Sequence, residues 1–299
     1  MLSICIPVYN FEVLPLINEL YIQAKNTSKP YEIIAIDDAS NAHFKTLNQK
    51  LIEIPGIIYE ELENNIGRSK IRNYLCKKAS NQYLLFMDCD ALITDRNFIS
   101  NYFLAIDELK NPDSLICGGR NYQKDRPKDS TSLHWVWGNK REAFDASTRS
   151  KNPYQSFMTN NFVMPKSVLE SNPFNEDLSG YGHEDTLLGF EMKKKNIPII
   201  HIDNPVEHIG LEEASVILEK TIQSTENLLK IYHITNKDKD FVSISKLLKI
   251  FEKIRKLKLT KLVRFFFGLF RKTIEGNLKS TKPSILMFDI YKLGIICRL

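Results

Sequence analysis

The feature that most constrains this chain is an alternation in its first hundred residues. Short apolar runs rich in β-branched side chains, LSICIPV (2–8), YEIIAIDDAS (31–40), GIIYEELE (56–63) and YLLFMDCDA (83–91), are separated by stretches with helix-like apolar spacing, FEVLPLINELYIQAK (11–25) and GRSKIRNYLCKKA (67–79). Strands and helices that alternate through short links pair by crossover connections, so the expected architecture is α/β with a mainly parallel sheet. In open sheets of this kind ligands collect at the carboxyl ends of the strands. Polar groups stand at the ends of the first, second and fourth runs, as Tyr9-Asn10, Asp37-Asp38 and Asp88-Cys89-Asp90. The last is the sharpest signal. Tyr83 to Met87 reads as a fully buried strand, and such a strand ends in two carboxylates only where something compensates their charge.

Side chains alternate along an extended segment, so Asp88 and Asp90 are expected to point to one side. A hard divalent cation, Mg²⁺ or Mn²⁺, would relieve their repulsion and clamp a diphosphate there. Further along, residues 120–156 are polar and charged and read as a partly helical excursion over the site. Sheet-like pattern returns at NNFVMP (160–165), IPIIHI (197–202) and VEHIG (206–210). Between them GYGHEDTLLGFEMKKKN (180–196) reads as a glycine-rich turn, two acids and a helix. From 212 onward the chain reads as helix.

The N-terminus, MLSICIPVYN, runs directly into strand-like sequence without a basic leader. No run approaches the roughly 18 consecutive apolar residues of a spanning helix. The five cysteines (5, 76, 89, 117 and 297) are scattered without a CxxC pair, which suits a reducing cytoplasm and argues against a disulfide framework or zinc knuckle. Charge is uneven. Residues 246–272 hold ten basic residues and one acid, a local +9 within a chain of net +5, so the remainder sums to −4. Apolar residues at 244, 247, 248, 251, 254, 257, 262, 265, 266, 269 and 270 follow a period near 3.6. A basic amphipathic helix with aromatics is the pattern of an element lying in an anionic membrane interface through 241–272. The alternative is an apolar face packed on the catalytic body. No nucleic-acid recognition motif accompanies the charge.

Taken in order, Pro7-Val8-Tyr9-Asn10, Asp37-Asp38, Asn65-x-Gly67-Arg68-x4-Asn73, Asp88-Cys89-Asp90 and Glu184-Asp185 resemble the family 2 glycosyltransferases, inverting enzymes of the GT-A fold, over residues 1–210. The resemblance implies a GT-A catalytic domain over 1–211; it does not cover the tail, whose own pattern reads as a helical C-terminal region over 212–299. It also implies roles. Tyr9 would stack on the nucleotide base, Asp38 would hydrogen-bond it, and Arg68 would lie by base or diphosphate. Pro7 would shape the bend after the first strand. Asp88 would bind ribose or sugar, Asp90 and His208 would hold Mn²⁺ or Mg²⁺, and Asp185 would be the general base. The implied partners are a nucleotide-sugar donor and a glycan acceptor; the basic tail adds the expectation of a lipid-linked glycan acceptor at the inner face of the cytoplasmic membrane. A nucleotidyltransferase and a non-catalytic nucleotide-sugar-binding scaffold are the rival readings.

Residue chemistry bears on these roles independently. Sugar transfer with inversion needs one base to take the acceptor proton and no carboxylic acid for a metal-bound leaving diphosphate. Glu184 and Asp185 are adjacent, so on a helix they diverge by about 100° and only one can face the site. Glu184 is assigned to the acceptor side. A helix N-terminus also favours both acids for purely structural reasons. Trp135 and Trp137 read either as a stacking platform for an acceptor sugar or as ordinary core. His208 reads either as a ligand that would favour Mn²⁺ or as a structural histidine.

Overall fold

The computed structural model describes all 299 residues. The elements run, in order, β1 (Leu2–Val8), α1 (Leu14–Asn26), β2 (Tyr31–Asp37), α2 (Ala42–Asn48), β3 (Ile57–Glu61), α3 (Arg68–Lys78), β4 (Tyr83–Met87), β5 (Ala91–Leu92), α4 (Phe98–Asp107), β6 (Leu115–Cys117), β7 (Arg120–Asn121), α5 (Ser132–Arg141), α6 (Ala146–Arg149), β8 (Asn161–Pro165), α7 (Lys166–Ser171), α8 (Glu184–Lys194), β9 (Ile199–His201), β10 (Val206–His208), α9 (Ala214–Ile234), α10 (Lys239–Ile244), α11 (Lys246–Lys256), α12 (Thr260–Leu278) and α13 (Ile285–Ile296). They form two compact units. The first comprises Met1–Gln123, Glu142–Ser179 and Glu184–Gly210, and the second Lys124–Arg141, Gly180–His183 and Leu211–Leu299.

In the first unit seven strands form one sheet in the order β3-β2-β1-β4-β8-β6-β9. The β1–β2, β2–β3, β1–β4 and β6–β9 pairs are parallel, and only β8 runs against its neighbours β4 and β6. The expected mainly parallel sheet is present. Its central strands are apolar on both faces. Leu2, Ile4, Ile6 and Val8 of β1 pack with Leu85 and Met87 of β4 on the side covered by α1 and α4. Cys5, Leu84 and Phe86 face the other side, with Ile71, Leu75 and Cys76 of α3 and Leu188 and Met192 of α8. That two-sided burial is why these strands read as continuous apolar runs. A smaller sheet, β5-β10-β7, carries the segments after β4 and before residue 210.

The second unit has its own core, in which Leu133 of α5, Ile217 of α9, Phe267, Ile274 and Leu278 of α12, and Phe288 and Tyr291 of α13 meet. The turn Gly180–His183 lies on α9, where Asn227 Nδ2 donates to the carbonyls of Tyr181 (3.3 Å) and Gly182 (3.1 Å).

The basic stretch 241–272 is not one helix. Lys258 takes a left-handed φ of 58°, and the N–H groups of Lys258 and Leu259 return to the carbonyls of Arg255 and Ile254, both at 3.0 Å. These two bonds are a Schellman stop, which ends α11 before α12 begins at Thr260. Periodicity survives such a break because the apolar spacing resumes on the far side of it. No helix of the protein is long and apolar enough to cross a membrane.

Candidate active site

The chain departs in opposite directions from β1, to β2 and β3 on one side and to β4 on the other, so the sheet's switch point lies between β1 and β4. Pairing of β1 with β4 stops at Cys5–Phe86, whereas pairing with β2 continues to Val8–Asp37. Pro7 stands in the stretch that has parted from β4, where its missing N–H leaves no ladder bond unmade. Tyr9 follows with its side chain 53% exposed, and the chain then turns through Asn10 at φ 48°. Asn10 Oδ1 accepts from Asn41 N at 2.9 Å, and its own N–H donates to Ser40 Oγ at 2.7 Å. The Tyr9 ring is thereby presented on a tethered turn.

Asp38 is buried beside it. Its two carboxylate oxygens accept from Ile66 N (2.6 Å) and Gly67 N (3.0 Å). Burial raises its pKa, against the pull of these two N–H donors. Asp38 therefore fixes the loop that opens α3, and each oxygen keeps a second lone pair for a ligand. Gly67 has φ 84°, a conformation that suits glycine, and it places Arg68 at the first position of α3.

A chain of ion pairs fills the crevice. Arg68 Nε bonds Glu184 Oε1 at 2.6 Å, and Arg72 reaches the same oxygen at 3.4 Å with Nη1. Arg72 Nη2 holds Asp88 Oδ1 at 3.2 Å, and Arg120 Nη2 holds Asp88 Oδ2 at 3.3 Å. Arg120 continues to Glu142 Oε2 at 3.0 Å, which also receives the Tyr122 hydroxyl. Arg72 is fully buried, because burying a guanidinium is tolerable only with partners on both sides. Two arginines thus compensate the charge of Asp88, a neutralisation that the sequence pattern did not reveal. Glu184, expected to face an acceptor, is instead 6% exposed and committed to Arg68 and Arg72. Its burial would raise its pKa, but the two guanidinium groups outweigh that and hold it at about 2.

Asp185 differs from its neighbour in every respect. Its Oδ1 accepts from Thr186 N at 2.6 Å and Thr186 Oγ1 at 3.2 Å, leaving Oδ2 without a hydrogen bond from the protein. Burial, reinforced by the negative charge of Glu184, pushes its pKa up to about 6. Two adjacent carboxylates thus titrate far apart, one a permanent anion and one poised to take a proton near neutrality.

Asp90 makes its ion pair with a different residue. Its Oδ1 lies 3.2 Å from His208 Nδ1 of β10. Burial opposes its charge, yet His208 and Arg120 hold its pKa at about 2. Gly210 passes so close that a Cβ there would fall 2.4 Å from Asp90 Oδ2. A carboxylate and an imidazole brought together in this way are a fitting donor pair for Mn²⁺ or Mg²⁺. No third His, Cys, Asp or Glu joins them, so the remaining ligands would come from diphosphate oxygens and water. Trp135 and Trp137 belong to the second unit. Trp137 packs against its core, with its ring 6.3 Å from that of Phe288.

Residues 3–171 match the family model described as glycosyl transferase family 2, more than half of the chain. The chain belongs to glycosyltransferase family 2. Solved structures agree on the fold. A mannosyltransferase, PcManGT from Pyrobaculum calidifontis, in complex with GDP-Man and Mn²⁺ superposes with a TM-score of 0.54 at 15% identity, covering 78% of this chain and 64% of that one. S. aureus TarS, residues 1–349, superposes with a TM-score of 0.50 at 20% identity, covering 76% and 65%. The same TarS fragment with UDP-GlcNAc gives 0.50 at 19% identity, covering 76% and 66%. This chain thus spans just under two thirds of the length of each. A search of curated proteins finds no match. The GT-A fold is shared.

In this member of the family the sequence pointed to the strand ends but not to what neutralises them. Arg120, Glu142 and Tyr122 were not among the expected site residues. Their one local signal is Gly118-Gly119-Arg120, a charged residue directly after two glycines at the end of β6. Arg149 is also new. It is buried and donates to the carbonyls of Phe144, Cys117, Gly118 and Ile202 at 2.8–3.1 Å, gathering the ends of β6 and β9 beneath the site.

Proposed function

We propose that this protein transfers a sugar from a nucleoside-diphosphate donor, UDP in the first instance, to a hydroxyl of a growing surface glycan, with inversion at the anomeric carbon. The observation that carries the reading is the split pair at the start of α8. Glu184 is locked to Arg68 and Arg72, while Asp185 keeps an oxygen free and a pKa of about 6. In the proposed reaction the acceptor hydroxyl gives its proton to Asp185 Oδ2 as its oxygen bonds the anomeric carbon. The bond from that carbon to the diphosphate oxygen breaks on the opposite face, and the diphosphate departs as an anion. Tyr9 stacks on the base, Asp38 accepts from its ring N–H, and Arg68 stands by the diphosphate. Asp88 receives a hydroxyl of ribose or sugar while its charge remains neutralised by Arg72 and Arg120. A divalent cation on Asp90 and His208 would supply charge stabilisation for the leaving diphosphate. Glu184 acts through Arg68 and Arg72 as a positioning residue rather than on the acceptor. The nucleotide sugars and Mn²⁺ of the similar structures support a donor and a cation of these classes.

The test is thermal stability against UDP, GDP and their sugars, with and without Mn²⁺. A ligand that binds only the folded state at a hundred times its dissociation constant stabilises by about 2.7 kcal/mol. The expected result is a rise in melting temperature with a nucleoside diphosphate that is larger with Mn²⁺ and is removed by chelation. No rise with any nucleotide would favour the scaffold reading.

The partner surface is proposed to be an anionic membrane, at the cytoplasmic leaflet that carries a lipid-linked acceptor. On α12, Leu262, Phe265, Phe266, Leu269 and Phe270 are between 48% and 66% exposed, while Phe267, Ile274 and Leu278 of the same helix fill the core. Helical spacing puts the five on one face, and exposed Lys258, Lys261, Arg264 and Lys272 lie around them. An apolar aromatic stripe ringed by cations complements lipid with anionic headgroups. Each such cation adds about 1 kcal/mol of attraction near an anionic surface. Vesicles with 30% anionic lipid should sediment the protein and pure zwitterionic vesicles should not. The double variant Phe265→Ser/Phe270→Ser should bind at least about tenfold less, with its melting temperature unchanged, given about 1.5–3 kcal/mol for each buried Phe. Equal binding by the variant would remove this surface from the proposal.

A further inference from the structure

Two adjacent asparagines at the start of β8 are treated in opposite ways. Asn161 is fully engaged: its Oδ1 accepts from the Tyr102 hydroxyl at 2.5 Å, and its Nδ2 donates to Asn204 O at 2.8 Å and Gly119 O at 3.1 Å. Asn160 is as deeply buried, at 3% exposure, yet neither its Nδ2 nor its Oδ1 has a partner. Buried polar groups are almost always bonded, and one left with nothing calls for an explanation.

Strand register locates it. Phe86 of β4 pairs with Phe162 of β8, and their rings stack at 5.2 Å on the face toward α3 and α8. Met87 and Asn161, the next pair, turn to the opposite face. The Asp88 N–H then donates to Asn160 O at 3.0 Å, so the ladder continues one step further. Alternation brings the Asp88 and Asn160 side chains to the same face as the stacked rings. The ion pair of Asp88 with Arg72 of α3 agrees with that placement. Arg72 and Arg120 each direct one Nη at Asp88 and their other Nη at Glu184 and Glu142, and no protein group serves the carboxamide of Asn160. Asp88 is the more open of the two, with its side chain 19% exposed, so a group that reaches it arrives next to Asn160.

We propose that Asn160 is a specificity-determining residue that binds a hydroxyl of the donor's sugar ring. A hydroxyl both donates and accepts, which matches the two unmet capacities of a carboxamide. A phosphate does not fit, because the Asp88 carboxylate stands alongside. The nucleotide base does not fit either, because Asp38, its proposed partner, stands at the end of β2, across β1 from β4. This inference rests on the donor reading above.

The experiment is calorimetric titration, with Mn²⁺, of wild type, Asn160→Ala and Asn161→Ala with UDP, GDP, UDP-GlcNAc and GDP-Man, alongside their melting temperatures. Asn160→Ala is expected to bind the nucleoside diphosphate as wild type does. It should bind the preferred nucleotide sugar about tenfold more weakly or worse, the factor for one lost hydrogen bond to a substrate hydroxyl. Its melting temperature should stay within a few degrees of wild type, since no bond is lost, whereas Asn161→Ala should melt far lower. Asn160→Ser, which keeps a small polar group, should recover part of the sugar affinity. Equal affinity of Asn160→Ala for both ligands relative to wild type, or a fall in melting temperature like that of Asn161→Ala, would overturn the assignment. Wild type that binds no nucleotide would overturn the donor reading itself and is distinguishable from either.

Discussion

Replacing Asp185 by asparagine is expected to lower kcat by about 10²–10⁴, the range for a lost general base, with donor affinity unchanged. The base acts in its ionised form, and burial together with the Glu184 charge sets its pKa at about 6. Wild-type kcat/KM should therefore rise with pH through about 6 and level off above it, and the variant's residual activity should lack that limb. Stability should move the other way. The carboxyl's pKa is raised on folding, so the native state favours the proton. The stability this contributes is present at low pH and is lost as pH rises through about 6. At pH 7 the ionised group weighs against the fold, so Asp185→Asn should be more stable than wild type by about 1–3 kcal/mol. A variant that melts higher, binds donor and fails to transfer sugar is hard to reconcile with a merely structural Asp185. Retained transfer would end the assignment, and joint loss of transfer and donor binding would make the residue structural.

The second large effect is expected at Arg72. Its guanidinium is buried between Asp88 and Glu184, bonds the Arg68 carbonyl at 3.3 Å and lies 5.6 Å from the Phe174 ring. Arg72→Met keeps most of the volume and removes the charge. It leaves Asp88, 19% exposed, with Arg120 alone and the buried Glu184 with Arg68 alone. Breaking one partner out of a buried pair costs about 3–5 kcal/mol. For a unit of this size that corresponds to a fall of roughly 6–20 °C in melting temperature. Substitution at Lys78, which makes an exposed ion pair with Glu60 at 2.7 Å, should move it hardly at all. If Arg72→Met and Lys78→Met proved equally harmless in thermal denaturation, the ion-pair network would not be what holds the site together. A variant that folds at low temperature should also bind donor poorly, because Asp88 would no longer be fixed.

The sheet was legible because its central strands are buried on both faces, and unbroken runs such as Tyr83–Met87 or Ile33–Ile36 have few other places to go. Strand ends were legible for the same reason: Asp38, Asp88 and Asp90 are polar exceptions to an apolar rule. The roles of Glu184 and Asp185 were harder, since adjacency on a helix tells only that they diverge. Which one is neutralised depends on Arg68 and Arg72, more than a hundred residues away in the chain. The basic stretch 241–272 misled in another way. Its period continues across Lys258, where the backbone reverses into a left-handed turn, because periodicity records which residues are apolar and not whether one helix carries them.

The alternation of strands and helices in the first hundred residues, the polar strand ends and the motifs of the family to which the chain belongs follow from local sequence alone, because burial on a pleated or helical surface leaves a short-range pattern. What neutralises each carboxylate was decided only by tertiary structure. Arg120 against Asp88, His208 against Asp90, and the bare carboxamide of Asn160 are all long-range pairings or absences. The physical reason is that a charge or an amide is defined by its nearest partner in space, and no period in the chain records a partner brought in from another strand.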